Sequence, residues 1–371
     1  MPTTLVVTND FPPRIGGIES FVASACELLG GDVVVYTSGP PGTAADDRSR
    51  GYPVVRDGSL LLPTRRTACR AVELLRTSGA TRVLFGAAAP LGLLAPALRA
   101  AGAEHIVALT HGHEVWWATL PGPRTALRRI GAGCDHLTTV SAYTAARIAP
   151  ALTPDARQRL LRLPPPVDPA VFRPGGRAPR PRVVAVARFV RQKGLDTLLR
   201  AWARARSAPS LNPAAELVLV GDGPQRRALA ALAQQLGVAG SVRFPGALGR
   251  DDVVAELQRA AVFALPVRTR LRGLNPEGFG LAAVEAASCG LPVLVGDSGG
   301  APETVQHGVT GWVLPPDDVE AWAVRIGELL SDPDAAVVMG RRGQARAAAL
   351  FGPEAARATL ARALRLAADP A

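Results

Sequence analysis

The residues with the clearest chemical potential lie in Pro276-Glu277-Gly278-Phe279-Gly280-Leu281-Ala282-Ala283-Val284-Glu285. Two glycines precede an Ala-rich, apolar-periodic segment that reads as a helix. Glu277 stands before it and Glu285 about two turns in. Gly278 and Gly280 let backbone N–H groups approach a ligand, and a helix N-terminus favours negative charge. Amides suit a phosphate and carboxylates suit hydroxyls, so a diphosphate bonded to a polyol fits. An ordinary loop–helix junction with solvated glutamates has the same local sequence. A second constellation is Arg188-Phe189-Val190-Arg191-Gln192-Lys193-Gly194, where Lys193 is the only lysine of the chain. Arg188 at a strand end and Lys193 five residues on can point two cations into one cleft, the lysine where a guanidinium would not fit.

The amino-terminal half holds further candidates. The loop Asn9-Asp10-Phe11-Pro12-Pro13-Arg14-Ile15-Gly16-Gly17 is stiffened by two prolines. Gly16 and Gly17 place bare backbone at a helix mouth, a phosphate-approach site. No GK[ST] follows and GxGxxG is absent, so neither the Walker A nor the dinucleotide fingerprint applies. Alternatively, the glycines only pack the helix on a sheet. His111-Gly112-His113-Glu114 follows a strand. A histidine there can contact substrate, act as a base or bind metal. His111, at the strand end, is the stronger candidate over His113, and no further ligands at convincing spacing support a metal. Asp332-Pro333-Asp334 matches D-x-D, but its setting between two helices reads as a helix stop and N-cap.

The elements that position these residues alternate. Strands are predicted at Leu5–Thr8, Val33–Thr37, Val83–Phe85, Ile106–Thr110, Val183–Ala187, Leu217–Val220, Val242–Phe244, Val262–Leu265 and Val293–Val295, with helical segments between and a polar loop at Pro40–Arg50. This β/α order predicts an α/β fold with parallel sheets and helices on both faces, ligands gathering at strand carboxyl ends. Five second-half strand ends lead into glycine, cation or carboxylate. Pro164-Pro165-Pro166-Val167-Asp168-Pro169 reads as a stiff interdomain linker.

Length and composition agree. The chain has 371 residues, enough for two domains, and a net charge of +11. Its basic residues are scattered and aromatics few, which argues against nucleic acid. The four cysteines, Cys26, Cys69, Cys134 and Cys289, lack CxxC spacing, so neither a disulfide frame nor zinc is expected, and a reducing cytoplasm fits. Val83–Leu98 is broken by Gly86, Pro90, Gly92 and Pro96, and Leu5–Val7 already reads as a strand, so no span or signal peptide is expected. Membrane contact would then be peripheral, through Arg65 and Arg66 beside Leu60-Leu61-Leu62, and Arg124, Arg128 and Arg129 beside Trp116-Trp117, Leu120 and Leu127. A solvated basic face is the alternative.

Taken together, Gly16-Gly17, Arg188 with Lys193, and the E-x7-E of Glu277 and Glu285 resemble glycosyltransferase family 4. The stretches VTNDFPPRIGGIES, FGAAAPLGLLA, THGHEVWWATLPGPR and SGGAPETV resemble actinobacterial GDP-mannose-dependent phosphatidylinositol mannosyltransferases. The resemblance implies the GT-B architecture of two facing Rossmann-like domains with an interdomain cleft. Residues 1–168 would form the acceptor-side domain, 169–350 the nucleotide-sugar-binding domain, and 351–371 a C-terminal helix packing back on the first. It implies a retaining, metal-independent hexosyltransferase, with no cofactor, moving mannose from GDP-mannose to a phosphatidylinositol-type lipid at the inner face of the plasma membrane. Arg188 and Lys193 would bind the diphosphate, Glu277 would lie by the transferred sugar, Glu285 on the ribose, and His111 by the donor sugar near the acceptor. Gly16, Gly17, Gly278, Phe279, Gly280 and Leu281 would complete the donor site, and Asp10, Arg14, His111 and His113 the acceptor side. In the loop Arg268–Asn275 the sequence departs from the family: Leu271 and Arg272 stand where smaller glycines are expected, and Asn275-Pro276 where an acidic and an apolar residue are expected. Other readings are a UDP-sugar with a soluble or other lipid acceptor, a nucleotide-sugar epimerase or phosphorylase, and a non-enzymatic basic lipid-binding protein.

Overall fold

The structure is a computed structural model that describes residues 3–14, 16–39, 47–58, 60–209 and 211–366. Ile15 of the first loop, residues 40–46 of the Pro40–Arg50 loop and residues 367–371 lie outside the described residues. The chain divides into two compact units, Met1–Pro166 with Pro353–Ala371, and Val167–Gly352. The first change of unit falls within the proline run 164–169.

The first unit is built on seven parallel strands: β1 (Thr4–Thr8), β2 (Val33–Thr37), β3 (Val54–Arg56), β4 (Arg82–Phe85), β5 (His105–Thr110), β6 (His136–Thr139) and β7 (Leu160–Arg162), in the order β3-β2-β1-β4-β5-β6-β7. β1 pairs with β2 and β4, Val6 standing opposite Val35 on one side and Leu84 on the other. Central strands covered on both faces must be apolar throughout, and Leu5, Val6, Val7, Val83, Leu84 and Phe85 are fully buried. The helix Pro353–Leu364 belongs to this unit: buried Arg82 donates from Nε to the Leu364 carbonyl at 2.7 Å and from Nη2 to the Arg365 carbonyl at 2.9 Å. A cation thus satisfies carbonyls that the helix end leaves open.

The second unit holds β8 (Arg182–Val186), β9 (Glu216–Val220), β10 (Val242–Gly246), β11 (Val262–Leu265), β12 (Val293–Gly296) and β13 (Gly311–Leu314), parallel and ordered β10-β9-β8-β11-β12-β13. Each sheet therefore reverses its strand order once, between β1 and β4 and between β8 and β11. Loops at the carboxyl ends of strands flanking such a reversal splay apart and leave room for a ligand. The strands absent from the sequence reading, β3, β6, β7 and β13, have three or four residues each. Such lengths carry too little alternation to register. Asp332 caps the helix Pro333–Phe351, its Oδ1 accepting the Ala335 N–H at 2.9 Å.

Candidate active site

In the second unit the loops after β8, β11 and β12 lock together. After β8 the chain turns through Arg191–Lys193 and enters the helix Leu195–Arg206 at Gly194. Gly194 has φ +64°, and a Cβ there would strike the Pro266 carbonyl after β11. Only glycine allows so close an approach. Gln192 reinforces it, donating from Nε2 to the Pro276 carbonyl at 2.8 Å and accepting the Arg268 N–H at 2.8 Å. Arg268 also donates to the Arg191 carbonyl at 2.8 Å and pairs with Asp196 and Asp317.

This locking brings Lys193 Nζ to 2.6 Å from Glu277 Oε2, with the side chains 21% and 12% exposed. The backbone of Glu277 is held by the loop after β12. Ser298 Oγ accepts its N–H at 3.3 Å, and Gly300 N–H donates to its carbonyl at 2.9 Å. Gly299, at φ +58°, leaves no room for a Cβ against that carbonyl. Arg188 is exposed, and among the described residues its guanidinium makes no hydrogen bond or ion pair. Its neighbour Phe189 is fully buried, with its N–H on the Asp222 carbonyl at 2.8 Å. The two cations are therefore in different states: Lys193 is paired and Arg188 is not.

Gly280, at φ +104°, opens the helix Leu281–Ser288. Phe279, expected at the donor site, immediately precedes Gly280. Its ring is buried edge-on against Phe351 at 5.2 Å, so only its backbone is left for a ligand. Leu281 is partly buried in the first turn. Glu285 is partly buried too, and burial pushes its carboxyl up to about 7, with the charge of Arg250 opposing. Among the described residues its carboxylate makes no hydrogen bond or ion pair. Ahead of Glu277, Arg270 and Asn275 pair through both backbone bonds and close a small loop. At its tip Leu271 and Arg272 have φ +53° and +52°, and Leu271 is 69% exposed. Those are the two positions where glycine was expected, and the backbone has kept the left-handed shape that glycine favours.

In the first unit the candidates gather at the ends of β1, β4 and β5. Thr8 Oγ1 accepts the Asp10 N–H at 2.9 Å, and Asn9 clamps Leu61 through both its N–H and its carbonyl. Exposed Arg14 donates to the Asn9 carbonyl at 3.2 Å. Gly16 and Gly17 begin the helix Gly17–Leu28. Gly17 faces open space, but the Glu19 carboxylate lies over Gly16 where a Cβ would be. An acid already occupies part of the helix mouth, and burial raises its pKa while the Arg14 charge opposes.

His111 follows β5. Its Nε2 lies 2.5 Å from the Gly86 carbonyl, which can only accept, so Nε2 carries the proton and Nδ1 is left as an acceptor. Burial lowers its pKa, keeping it neutral, although the charge of Glu114 opposes. Phe21 meets the ring edge-on at 5.5 Å and His113 stacks at 6.3 Å. The carboxylate of Asp10 acts electrostatically on both His111 and Glu19.

Glu114 is the residue that sequence reasoning passed over. It is fully buried, and its Oε2 accepts the N–H groups of His111 at 3.0 Å and Gly112 at 3.1 Å. Its Oε1 is buried without a hydrogen bond among the described residues, with His113 Nε2 at 3.3 Å. The signal was available, since an acid one residue after His-Gly-His can fold back onto the turn it follows. The expected amphipathic lipid face needs a correction as well: Leu127 and Leu61 are buried, whereas Leu60, Leu62, Trp116 and Leu120 are exposed. Among the described residues no group of three or more His, Cys, Asp or Glu side chains is placed to hold a metal ion, and no helix is long and apolar enough to cross a membrane.

Two parallel-sheet Rossmann-like units with Gly-, cation- and carboxylate-bearing loops at their strand reversals define a glycosyltransferase of the GT-B class. Residues 15–171 match the model of Glycosyltransferase Family 4 and residues 171–346 that of Glycosyl transferases group 1. The chain is 44% identical over 363 residues to the GDP-mannose-dependent alpha-(1-6)-phosphatidylinositol monomannoside mannosyltransferase of Mycobacterium tuberculosis, covering 93% of each chain. It is 39% identical over 359 residues, 92% of each chain, to the monoacylated phosphatidylinositol monomannoside mannosyltransferase of Corynebacterium glutamicum. This protein belongs to glycosyltransferase family 4. The fold is also that of Anabaena Alr3699/HepE in complex with UDP, with a TM-score of 0.80 at 18% identity over 98% of this chain and 99% of that one.

Proposed function

We propose that the protein transfers a mannosyl group from GDP-mannose to a phosphatidylinositol mannoside acceptor at a membrane surface. The observation that carries this is the 44% identity, over 93% of both chains, to an enzyme named for that reaction. The second unit takes the nucleotide sugar and the first supplies the acceptor side. Arg188 and Lys193 meet the diphosphate. Breaking the sugar–phosphate bond builds negative charge on that leaving group, and preorganised cations stabilise it most where charge develops. Lys193 is held by Glu277 before any donor arrives. A bound diphosphate then shares the ammonium and leaves a carboxylate oxygen of Glu277 for a sugar hydroxyl. Glu285 accepts from the ribose, which its uncommitted oxygens support. Gly278, Gly280 and Leu281 offer backbone at the helix mouth, and so does Phe279.

In the first unit, Gly16 and Gly17 offer backbone at a helix mouth that suits phosphate oxygens. His111 offers the Nδ1 lone pair to a sugar hydroxyl, and Asp10, Arg14 and His113 line the acceptor side. Transfer retains the anomeric configuration.

The test incubates the protein with GDP-mannose, UDP-glucose and other nucleotide sugars, with and without phosphatidylinositol mannoside. Lipid-dependent release of GDP with a mannosylated product is expected. Transfer from a UDP-sugar alone would move the donor assignment. Donor turnover without acceptor would indicate an epimerase, turnover requiring phosphate a phosphorylase, and no consumption at all a lipid-binding protein.

A further inference from the structure

A cavity of about 320 Å³ opens on the first unit between the helix Pro121–Gly133 and the segment Pro150–Arg157. Its walls include Arg124, Arg128 and Arg157, and no acidic residue lines it. The arginines come from two elements. Arg124 and Arg128 are one helical turn apart, and Arg157 reaches in from the helix Pro154–Gln158. Arg124 Nη2 donates to the Pro150 carbonyl at 2.8 Å, and Arg157 Nη2 donates to the same oxygen at 3.3 Å. Two guanidiniums thus converge on one neutral acceptor. Among the described residues none of the three pairs with a carboxylate; nearby Asp155 is engaged by Arg159 at 2.8 Å.

Like charges gathered without compensation repel. The repulsion is relieved when an anion enters, and a guanidinium fork suits the oxygens of a phosphate. Beside the cavity the surface turns apolar. Leu120, 42% exposed, is one turn before Arg124, and Trp116, 36% exposed, is one turn before that. A phosphate pocket bordered by exposed leucine and tryptophan matches a lipid headgroup with its glycerol and upper acyl region. Arg129, exposed on the same helix, does not line the cavity.

We propose that Arg124, Arg128 and Arg157 form a headgroup pocket for the phosphodiester of an anionic phospholipid, which seats the first unit on the membrane. The pocket deepens the lipid-acceptor reading and rests on it. Its lining shares no residue with those assigned to donor and acceptor, so the pocket is assigned to a bulk lipid rather than to the molecule being glycosylated. A diffuse basic surface would treat Arg129 and Arg157 alike; a pocket separates them.

Co-sedimentation with vesicles of phosphatidylinositol in phosphatidylcholine, without donor, reads the pocket directly. Arg124→Gln and Arg157→Gln should each weaken binding about fivefold, while Arg129→Gln stays close to the wild type. Unchanged melting temperatures confirm that these exposed substitutions leave the fold intact. An equal loss in Arg129→Gln and Arg157→Gln, or no loss in either, overturns the pocket. Titration with inorganic phosphate at matched ionic strength separates the two sources of phosphate. Arg157-dependent phosphate binding in a protein whose vesicle binding ignores Arg157 would assign the pocket to a soluble anion and overturn the lipid assignment. Because no catalysis is measured, failure of mannosyl transfer leaves the result readable.

Discussion

The pair Lys193–Glu277 and the pair His111–Glu114 use a carboxylate in opposite ways. In the second unit Glu277 has its backbone fixed by the loop after β12 and its carboxylate on a movable ammonium. In the first unit Glu114 is wholly buried and holds backbone N–H groups of the turn itself. An ion pair of two partly exposed chains can exchange partners at modest cost. A buried carboxylate serving two amides cannot, because releasing them leaves buried donors unpaired. The contrast therefore separates a site that responds to its ligand from a site that is preformed. The leaving diphosphate needs the first kind, since charge must be met as it develops. A neutral histidine placed by its turn needs the second.

Lys193→Ala breaks that comparison most sharply. Loss of one preorganised contact to the leaving group costs about 3 kcal/mol in the transition state, roughly a hundredfold or more in kcat. Stability should change by less than about 1 kcal/mol, because the pair it removes is partly solvated. Single-turnover rates with GDP-mannose, alongside melting curves, check both halves. A near-normal kcat would remove Lys193 from the diphosphate.

Glu114→Ala should behave in reverse. It strands the His111 and Gly112 N–H groups, so a loss of about 2 kcal/mol in unfolding free energy is expected. Glu114→Gln keeps one acceptor oxygen and should lose less. Chemical denaturation of the two variants orders them. If Glu114→Gln is the worse, the amide hydrogen bonds are not what Glu114 provides.

How far the sequence disclosed this depended on whether the information was local. Fully buried strands such as β1, Thr4–Thr8, announce themselves by composition. β7, with only Leu160-Leu161-Arg162, does not, because its pairing with β6 is a tertiary fact. Lys193 and Glu277 were each named from residue type, yet their 2.6 Å contact depends on Gln192, Arg268 and Gly194 joining loops some eighty positions apart. Phe279 shows the converse. Its place in a glycine-rich motif suggested the ligand, while its size sent it into the core beside Phe351. Leu271 and Arg272 were seen to replace glycines, but that the backbone kept a positive φ beneath them required coordinates. Arg157 was invisible as a partner of Arg124 because two helices bring them to the same carbonyl.

Glu285 sharpens the comparison with the smallest expected effect, and its sign can be worked out. Burial raises its carboxyl from the ordinary 4.5 to about 7. Between those values the folded state holds a proton that the unfolded state has released. The contribution to stability is therefore complete below the unfolded value and is lost as pH rises through about 7. Glu285→Gln cannot titrate, and its amide imitates the protonated acid. At pH 4, below the unfolded value, the variant and the wild type should melt together. At pH 8 the variant should be the more stable, by about 1–2 kcal/mol, less than the full shift converts to because the carboxylate is only partly buried. Turnover should move the other way. An ionised carboxylate is the better acceptor for a ribose hydroxyl, so wild-type kcat/KM should rise through pH 7, while the glutamine variant stays low and flat. A Glu285→Gln enzyme that is both stabilised at pH 8 and fully active would show that the cost of burying this acid is not retained for nucleotide binding.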